Sequence, residues 1–265
     1  QLNTMFNPDT DWRRVTAAIY KKPTDSKIFG SVELDVTHLE EFLNKNRVNG
    51  TKLTFTHFFA FAIAMGIHTK VPQLNTFVRR GRIVSRPSID VGVSVLNHDQ
   101  TEMNAVVVRD AINYNLHSFT HQLNELIAQS KSGAGVNTKG KYLLAKVPWP
   151  FRNWFFRLVR FVTVGLGLFS SSPAGITNRF GSFILSNIGS VGLDVGYAAL
   201  LPASNVSAVF TLGTVETLPR YINGQLTPRR IIKLAVTLDH RLVDGLHGGL
   251  LFRYLKQVVR NPDLL

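Results

Sequence analysis

The sequence predicts an α/β domain in which a mixed β-sheet is covered by helices. Three observations predict it. Segments with helical periodicity alternate with short β-branched runs. Two turn signals, Arg80-Gly81 and Asn223-Gly224, mark hairpins, which a pure βαβ winding would lack. No internal repeat or low-complexity linker divides the 265 residues, a length that suits one large domain spanning 1–265.

Taken in order, Lys27 to Val36 alternates as a strand does. Thr37 with Glu40 reads as a capping box that opens a helix to about Asn46. Thr54 to Lys70 is apolar nearly all round (Phe55, Phe58, Phe59, Phe61, Ile63, Met65), which predicts a helix buried against a sheet; Val71-Pro72 ends it. Asn75 to Arg79 and Arg82 to Ser85 flank the first hairpin turn. Ile89 to Leu96 and Met103 to Arg109 are β-branched and read as buried strands. Leu116 to Ser130 has helical periodicity, with Gly133 placed to stop it. Phe183 to Ser186, Val206 to Gly213 and Ile231 to Leu238 read as core strands, and Leu246 to Arg260 closes the chain as a helix.

Residues 141–176 do not fit this rhythm and are expected to form an amphipathic insert. On a helical wheel, Arg152, Arg157 and Arg160 fall within an arc of roughly 140°. Trp154, Phe155, Leu158, Val159, Phe161 and Val162 fill the opposite side, with Phe156 the exception. Such a basic, aromatic helix suits an anionic membrane surface, met through 150–169, or a hydrophobic acceptor, or a docking site on its own domain or a neighbouring subunit.

Composition narrows the function. There is no cysteine, so a disulfide frame, a thiolate metal site and a cysteine nucleophile are excluded; a reducing, cytoplasmic setting is expected. Thirty Lys and Arg against 17 Asp and Glu give a formal charge of +13, which points to an anionic partner such as a polyphosphate ligand or an anionic surface. The basic residues are spread along the chain, which argues against a nucleic-acid arm. No apolar run reaches the roughly 18 residues that span a bilayer. The chain starts on Gln1 rather than Met, which leaves room for an upstream segment.

The chemistry gathers near the C-terminus. The last strand ends in Asp239-His240-Arg241-Leu242-Val243-Asp244-Gly245. An apolar strand that delivers a histidine to its carboxyl end gives a base rigid support and an open cleft. Free imidazole titrates near pH 6.5 and a thiol near 8.5, so an imidazole is matched to taking a thiol proton at neutral pH. His117 and His121 are spaced as metal ligands can be, but no surrounding motif supports them and no metal is expected. His247 is expected to face solvent or a subunit contact.

Asp239-His240-Arg241-x-x-Asp244-Gly245 resembles the DHR-x-x-DG signature of the catalytic domain of the 2-oxoacid dehydrogenase acyltransferases, within the chloramphenicol acetyltransferase-like superfamily. Gly181-Ser182-Phe183-Ile184-Leu185-Ser186-Asn187-Ile188-Gly189 is similar to a second segment of that family, and the Asn-Pro-Asp-Leu-Leu ending resembles its C-terminus. The resemblance runs from about residue 11 to the end. It implies a chloramphenicol acetyltransferase-like fold and acyl transfer between CoA and a thiol, classically dihydrolipoamide. His240 would be the base, Ser186 the oxyanion donor, and Asp244 a structural partner for an N-terminal arginine, Arg13 or Arg14. Asn187 would shape the turn after Ser186. The active site would lie between subunits of a homotrimer, which in this family often builds a cubic or dodecahedral core. No lipoyl domain precedes the matching part, so the lipoyl group is expected in trans. The same chemistry on a lipid-like acceptor, and a non-catalytic core scaffold, are the competing readings. No CoA-binding residue can be singled out.

Overall fold

In the computed structural model, which describes residues 26–46, 53–96, 103–131, 151–162, 166, 180–200 and 204–265, the described residues form eight strands and five α-helices. The strands are β1 (Lys27–Asp35), β2 (Thr76–Arg79), β3 (Arg82–Ser85), β4 (Val91–Leu96), β5 (Met103–Val108), β6 (Phe183–Asn187), β7 (Ala208–Ile222) and β8 (Gln225–Asp239). The helices are α1 (Thr37–Lys45), α2 (Phe55–Thr69), α3 (Leu116–Lys131), α4 (Phe151–Arg160) and α5 (Gly245–Arg260).

Six strands make one sheet in the order β1-β8-β7-β6-β4-β5. The sheet is mixed: β6 runs parallel to both β4 and β7, and the other pairings are antiparallel. β2 and β3 form a separate hairpin. Both hairpin turns have two residues at positive φ, Arg80 (50°) with Gly81 (74°), and Asn223 (51°) with Gly224 (81°). That is the turn whose twist matches a right-handed ribbon.

Period-two alternation divides the sheet into two faces. One face carries Val91 and Val93, Phe183 and Leu185, Phe210 and Leu212, and Leu234, Val236 and Leu238 into the main core. Helices α2, α3 and α5 supply the other half of that core through residues such as Phe58, Phe61, Phe119 and Leu255. Phe183 and Phe210 meet edge to face at 5.6 Å across β6 and β7. Each fully buried aromatic or aliphatic side chain is worth about 1.5–3 kcal/mol, so this interdigitated layer dominates the stability. The opposite face bears a smaller cluster of Ile184, Leu200, Val206 and Val209.

Two local expectations are corrected. Thr37 is the first residue of α1, not its cap, and Val36 at the cap position makes no side-chain cap bond. The Thr37 hydroxyl donates instead to Asp35 at 2.7 Å, and Glu40 accepts from Arg230 of β8 at 2.9 Å. Strands β7 and β8 also run well past the expected 206–213 and 231–238. Beyond the end of β1 they continue as a two-stranded ribbon in which Pro219 faces Pro228. Prolines argue against a central strand, but here β1 no longer pairs with β8 and the outer edges are open.

Candidate active site

The buried residues of β8 hold its carboxyl end, and the His240 amide donates to the Ser26 carbonyl at 2.7 Å, just ahead of β1. On either side, Asp239 and Arg241 pair with each other. The Arg241 backbone N–H and Nε donate to Asp239 Oδ1 at 3.1 and 2.9 Å, and both side chains are buried, Arg241 8% and Asp239 6% exposed. A buried guanidinium and a buried carboxylate tolerate that environment only as a hydrogen-bonded pair. The Asp-x-Arg frame therefore clamps the turn from which His240 projects.

The His240 side chain is 30% exposed. Its Nδ1 lies 3.0 Å from the Val243 carbonyl oxygen and 3.2 Å from Asp244 Oδ1. Both are acceptors, so Nδ1 carries a proton, and in the neutral ring Nε2 is the nitrogen with the lone pair. That assignment follows from the hydrogen-bond partners. A histidine set in this tautomer can take a proton at Nε2.

Asp244 caps α5. Its carboxylate accepts from the His247 backbone N–H, while His247 Nδ1 accepts from the Asp244 backbone N–H at 3.0 Å. One carboxylate thus anchors both a helix and the imidazole. Of the two expectations for His247, solvent or a subunit contact, the first is corrected: its side chain is 14% exposed because the cap draws it inward. The Asp-x-x-His spacing before a periodic helix was the available signal, since the third helical residue of a capping box reaches back to the cap. The expected partnership of Asp244 with Arg13 or Arg14 lies outside the described residues.

Ser186 is 8% exposed on β6, on the same side as Ile184 and so away from the main helical layer. Glycines bracket this strand for a physical reason. Gly181 has φ +79°, and a Cβ there would lie 2.5 Å from the Asp90 carbonyl oxygen. A Cβ on Gly189 would lie 2.4 Å from the Gly213 carbonyl oxygen. The turn after Ser186 is shaped by Asn187, whose Oδ1 accepts from the Ser190 amide at 3.2 Å and whose Nδ2 donates to Thr56 at 3.0 Å.

The register separates the two candidate residues. Ser186 pairs with Thr211, and Thr211 with Ala235, five residues before His240. With strands about 4.8 Å apart and about 3.3 Å of rise per residue, the two Cα positions lie roughly 19 Å apart in one chain. The serine and histidine side chains with a hydrogen bond of about 3 Å between their tips are too short to close that gap, so a single chain does not bring them together. The Ser186 face of the sheet carries exposed apolar side chains: Phe29 stacks edge-on against Tyr197 at 5.3 Å, and Val191, Leu193 and Val195 lie nearby in sequence.

His121 on α3 faces Glu125 at 3.6 Å on an exposed surface. Among the described residues, no group of three or more His, Cys, Asp or Glu could hold a metal ion, and no helix is long and apolar enough to cross a membrane.

Comparison with known proteins agrees with this architecture. The family model described as 2-oxoacid dehydrogenases acyltransferase (catalytic domain) matches residues 10–136 and 174–265. The dihydrolipoyllysine-residue acetyltransferase component of the pyruvate dehydrogenase complex of Mycoplasma capricolum is 42% identical over 84 residues, 32% of this chain and 19% of that protein. A probable dihydrolipoamide acetyltransferase from Listeria monocytogenes superposes with a TM-score of 0.66 at 18% identity, over 94% of this chain and 88% of its own. A chloramphenicol acetyltransferase follows at 0.52 and 12% identity, over 96% and 98% of the two chains. The structural likenesses give the fold, a chloramphenicol acetyltransferase-like mixed sheet with helices. The chain spans about half, or less, of the length of the curated relatives it matches. Because the family model covers both the His240 and the Ser186 segments and most of the sequence, the chain belongs to the family of 2-oxoacid dehydrogenase acyltransferase catalytic domains.

Proposed function

We propose that this chain is a CoA-dependent acyltransferase that moves an acyl group between CoA and a thiol acceptor, dihydrolipoamide presented by another chain. His240 Nε2 takes the proton of the attacking thiol. The thiolate adds to the thioester carbonyl, and the Ser186 hydroxyl donates to the oxyanion that forms. Collapse expels the other thiolate, which recovers the proton from His240, so atoms and charge balance. Asp244 positions His240 through Nδ1.

The observation that carries this reading is the Nδ1 contact with Val243 and Asp244, which leaves Nε2 as a base at the end of a rigid strand. The roughly 19 Å between His240 and Ser186 in one chain supports a site completed by a second copy, as a homotrimer provides. The exposed apolar residues on the Ser186 face suit that contact. A larger cubic or dodecahedral core, and a membrane-surface contact of 150–169, belong to the same reading.

A second reading keeps the chemistry and changes the acceptor to a lipid-like molecule. Its support is that residues 137–173, which include the exposed aromatic helix α4, fall between the two segments matched by the family. The test is acyl transfer from acyl-CoAs of graded length to free dihydrolipoamide, with His240→Ala as blank. Transfer lost in the blank supports the first reading. CoA binding without transfer favours the second, and no CoA binding overturns both.

A further inference from the structure

We infer that α4 and the β2–β3 hairpin tip together form a docking surface for an anionic lipid bilayer. On α4, Phe151, Trp154 and Leu158 are 66%, 65% and 43% exposed, and Phe161 just beyond it is 59% exposed. They share one side of the wheel, with the exposed Arg157 at its edge. Four large apolar side chains held in water on ten to eleven consecutive residues are a liability unless a partner covers them.

The fold adds charge beside them. Arg80 at the hairpin tip donates through Nε to the Leu166 carbonyl at 2.8 Å, and the Leu166 amide donates to the Phe161 carbonyl at 2.8 Å. This ties the end of the aromatic helix to the sequence Arg79-Arg80-Gly81-Arg82, in which Arg80 and Arg82 are exposed. The surrounding sequence is one-sided too. From Leu126 to Leu193 there is no Asp or Glu, against eight Lys and Arg. A membrane-spanning role does not suit α4, whose ten residues reach about 15 Å against a hydrocarbon core of about 30 Å.

Aromatic side chains at the headgroup level with guanidinium groups beside them are the chemistry of an interfacial helix on acidic phospholipid. A second copy of the chain would bring the same positive charge against this surface. An anionic bilayer brings the opposite charge and an apolar layer at once.

The test is co-sedimentation of the intact assembly with vesicles of phosphatidylcholine alone, or of phosphatidylcholine with phosphatidylglycerol at three to one. The expected result is binding to the anionic vesicles only, weakening with salt. Arg80→Gln and Arg82→Gln should each lower the partition coefficient about fivefold. The pair Trp154→Ser with Phe161→Ser should abolish binding while leaving acetyl transfer to free dihydrolipoamide and oligomer mass unchanged. Failure to bind anionic vesicles, equal binding to neutral ones, or binding that survives the Trp154→Ser, Phe161→Ser pair would each overturn the inference. So would a fall in oligomer mass in that pair, which would assign the surface to another copy.

Discussion

Two inactive variants should restore each other. His240→Ala removes the proposed base and should lower acyl transfer by about 10²–10⁴-fold. Ser186→Ala removes the proposed oxyanion donor and should lower kcat by about 10²–10³-fold. In one chain these positions lie roughly 19 Å apart across β6, β7 and β8, so the proposed site takes its histidine from one subunit and its serine from the next. Co-expressed in equal amounts with different affinity tags, the two variants assemble at random. A site is complete only where a Ser186→Ala chain supplies the histidine and a His240→Ala chain supplies the serine. Each choice has even odds, so about one quarter of the sites are intact. The assay is acetyl transfer from acetyl-CoA to dihydrolipoamide by oligomers purified through both tags. Double-tag selection enriches mixed oligomers, so recovery should reach or pass a quarter of wild type, against about 1% or less for either parent. Mixed oligomers no more active than their parents would refute the shared site. So would a fully active species with the mass of one chain.

Three further outcomes follow from the geometry. Arg241→Ala leaves the buried Asp239 carboxylate without its bidentate partner and should cost about 3–5 kcal/mol, read by denaturant unfolding. Replacing both, Asp239→Leu with Arg241→Met, should recover much of that stability but not the activity, because the turn under His240 loses its clamp. Gly189→Ala places a Cβ 2.4 Å from the Gly213 carbonyl oxygen, and the backbone shift it forces should cost about 1–3 kcal/mol in thermal melts.

His57 predicts a pH dependence. Burial lowers its pKa below that of a free imidazole, although its bond to Asn124 pulls the other way. Its Nδ1 accepts from the Thr54 amide at 3.3 Å and Nε2 faces Asn124 Oδ1 at 3.1 Å, so the native ring is neutral with its proton on Nε2. The unfolded chain binds the proton first as pH falls. Stability is therefore full above about pH 6.5 and declines as pH drops toward and through the lowered native pKa. His57→Gln should flatten that decline in melts between pH 7 and 5; an unchanged slope would show that His57 does not carry it.

Much of this fold is written locally. Alternation marked β1, because a sheet with one buried face imposes period two on its residues, while turn signals marked the hairpins and β-branched apolar runs the core strands. The all-round apolar run of α2 announced a helix sunk into the core, where Phe58, Phe59 and Phe61 are indeed almost wholly buried. The His240 and Ser186 segments were also legible, because a tight turn and a close backbone approach restrict which residues can stand there. Tertiary structure decided the rest. Thr37 and Glu40 form a plausible cap on paper, but β8 brings Arg230 to Glu40, and an ion pair from a distant strand overrides the local bond. Nor does the one-dimensional order reveal that His247 turns inward to Asp244, or that Arg80 reaches Leu166 across 86 positions of chain. Spacing in sequence fixes what a side chain can do chemically. Which groups meet depends on strand order and register, and these arise only when the whole core packs at once.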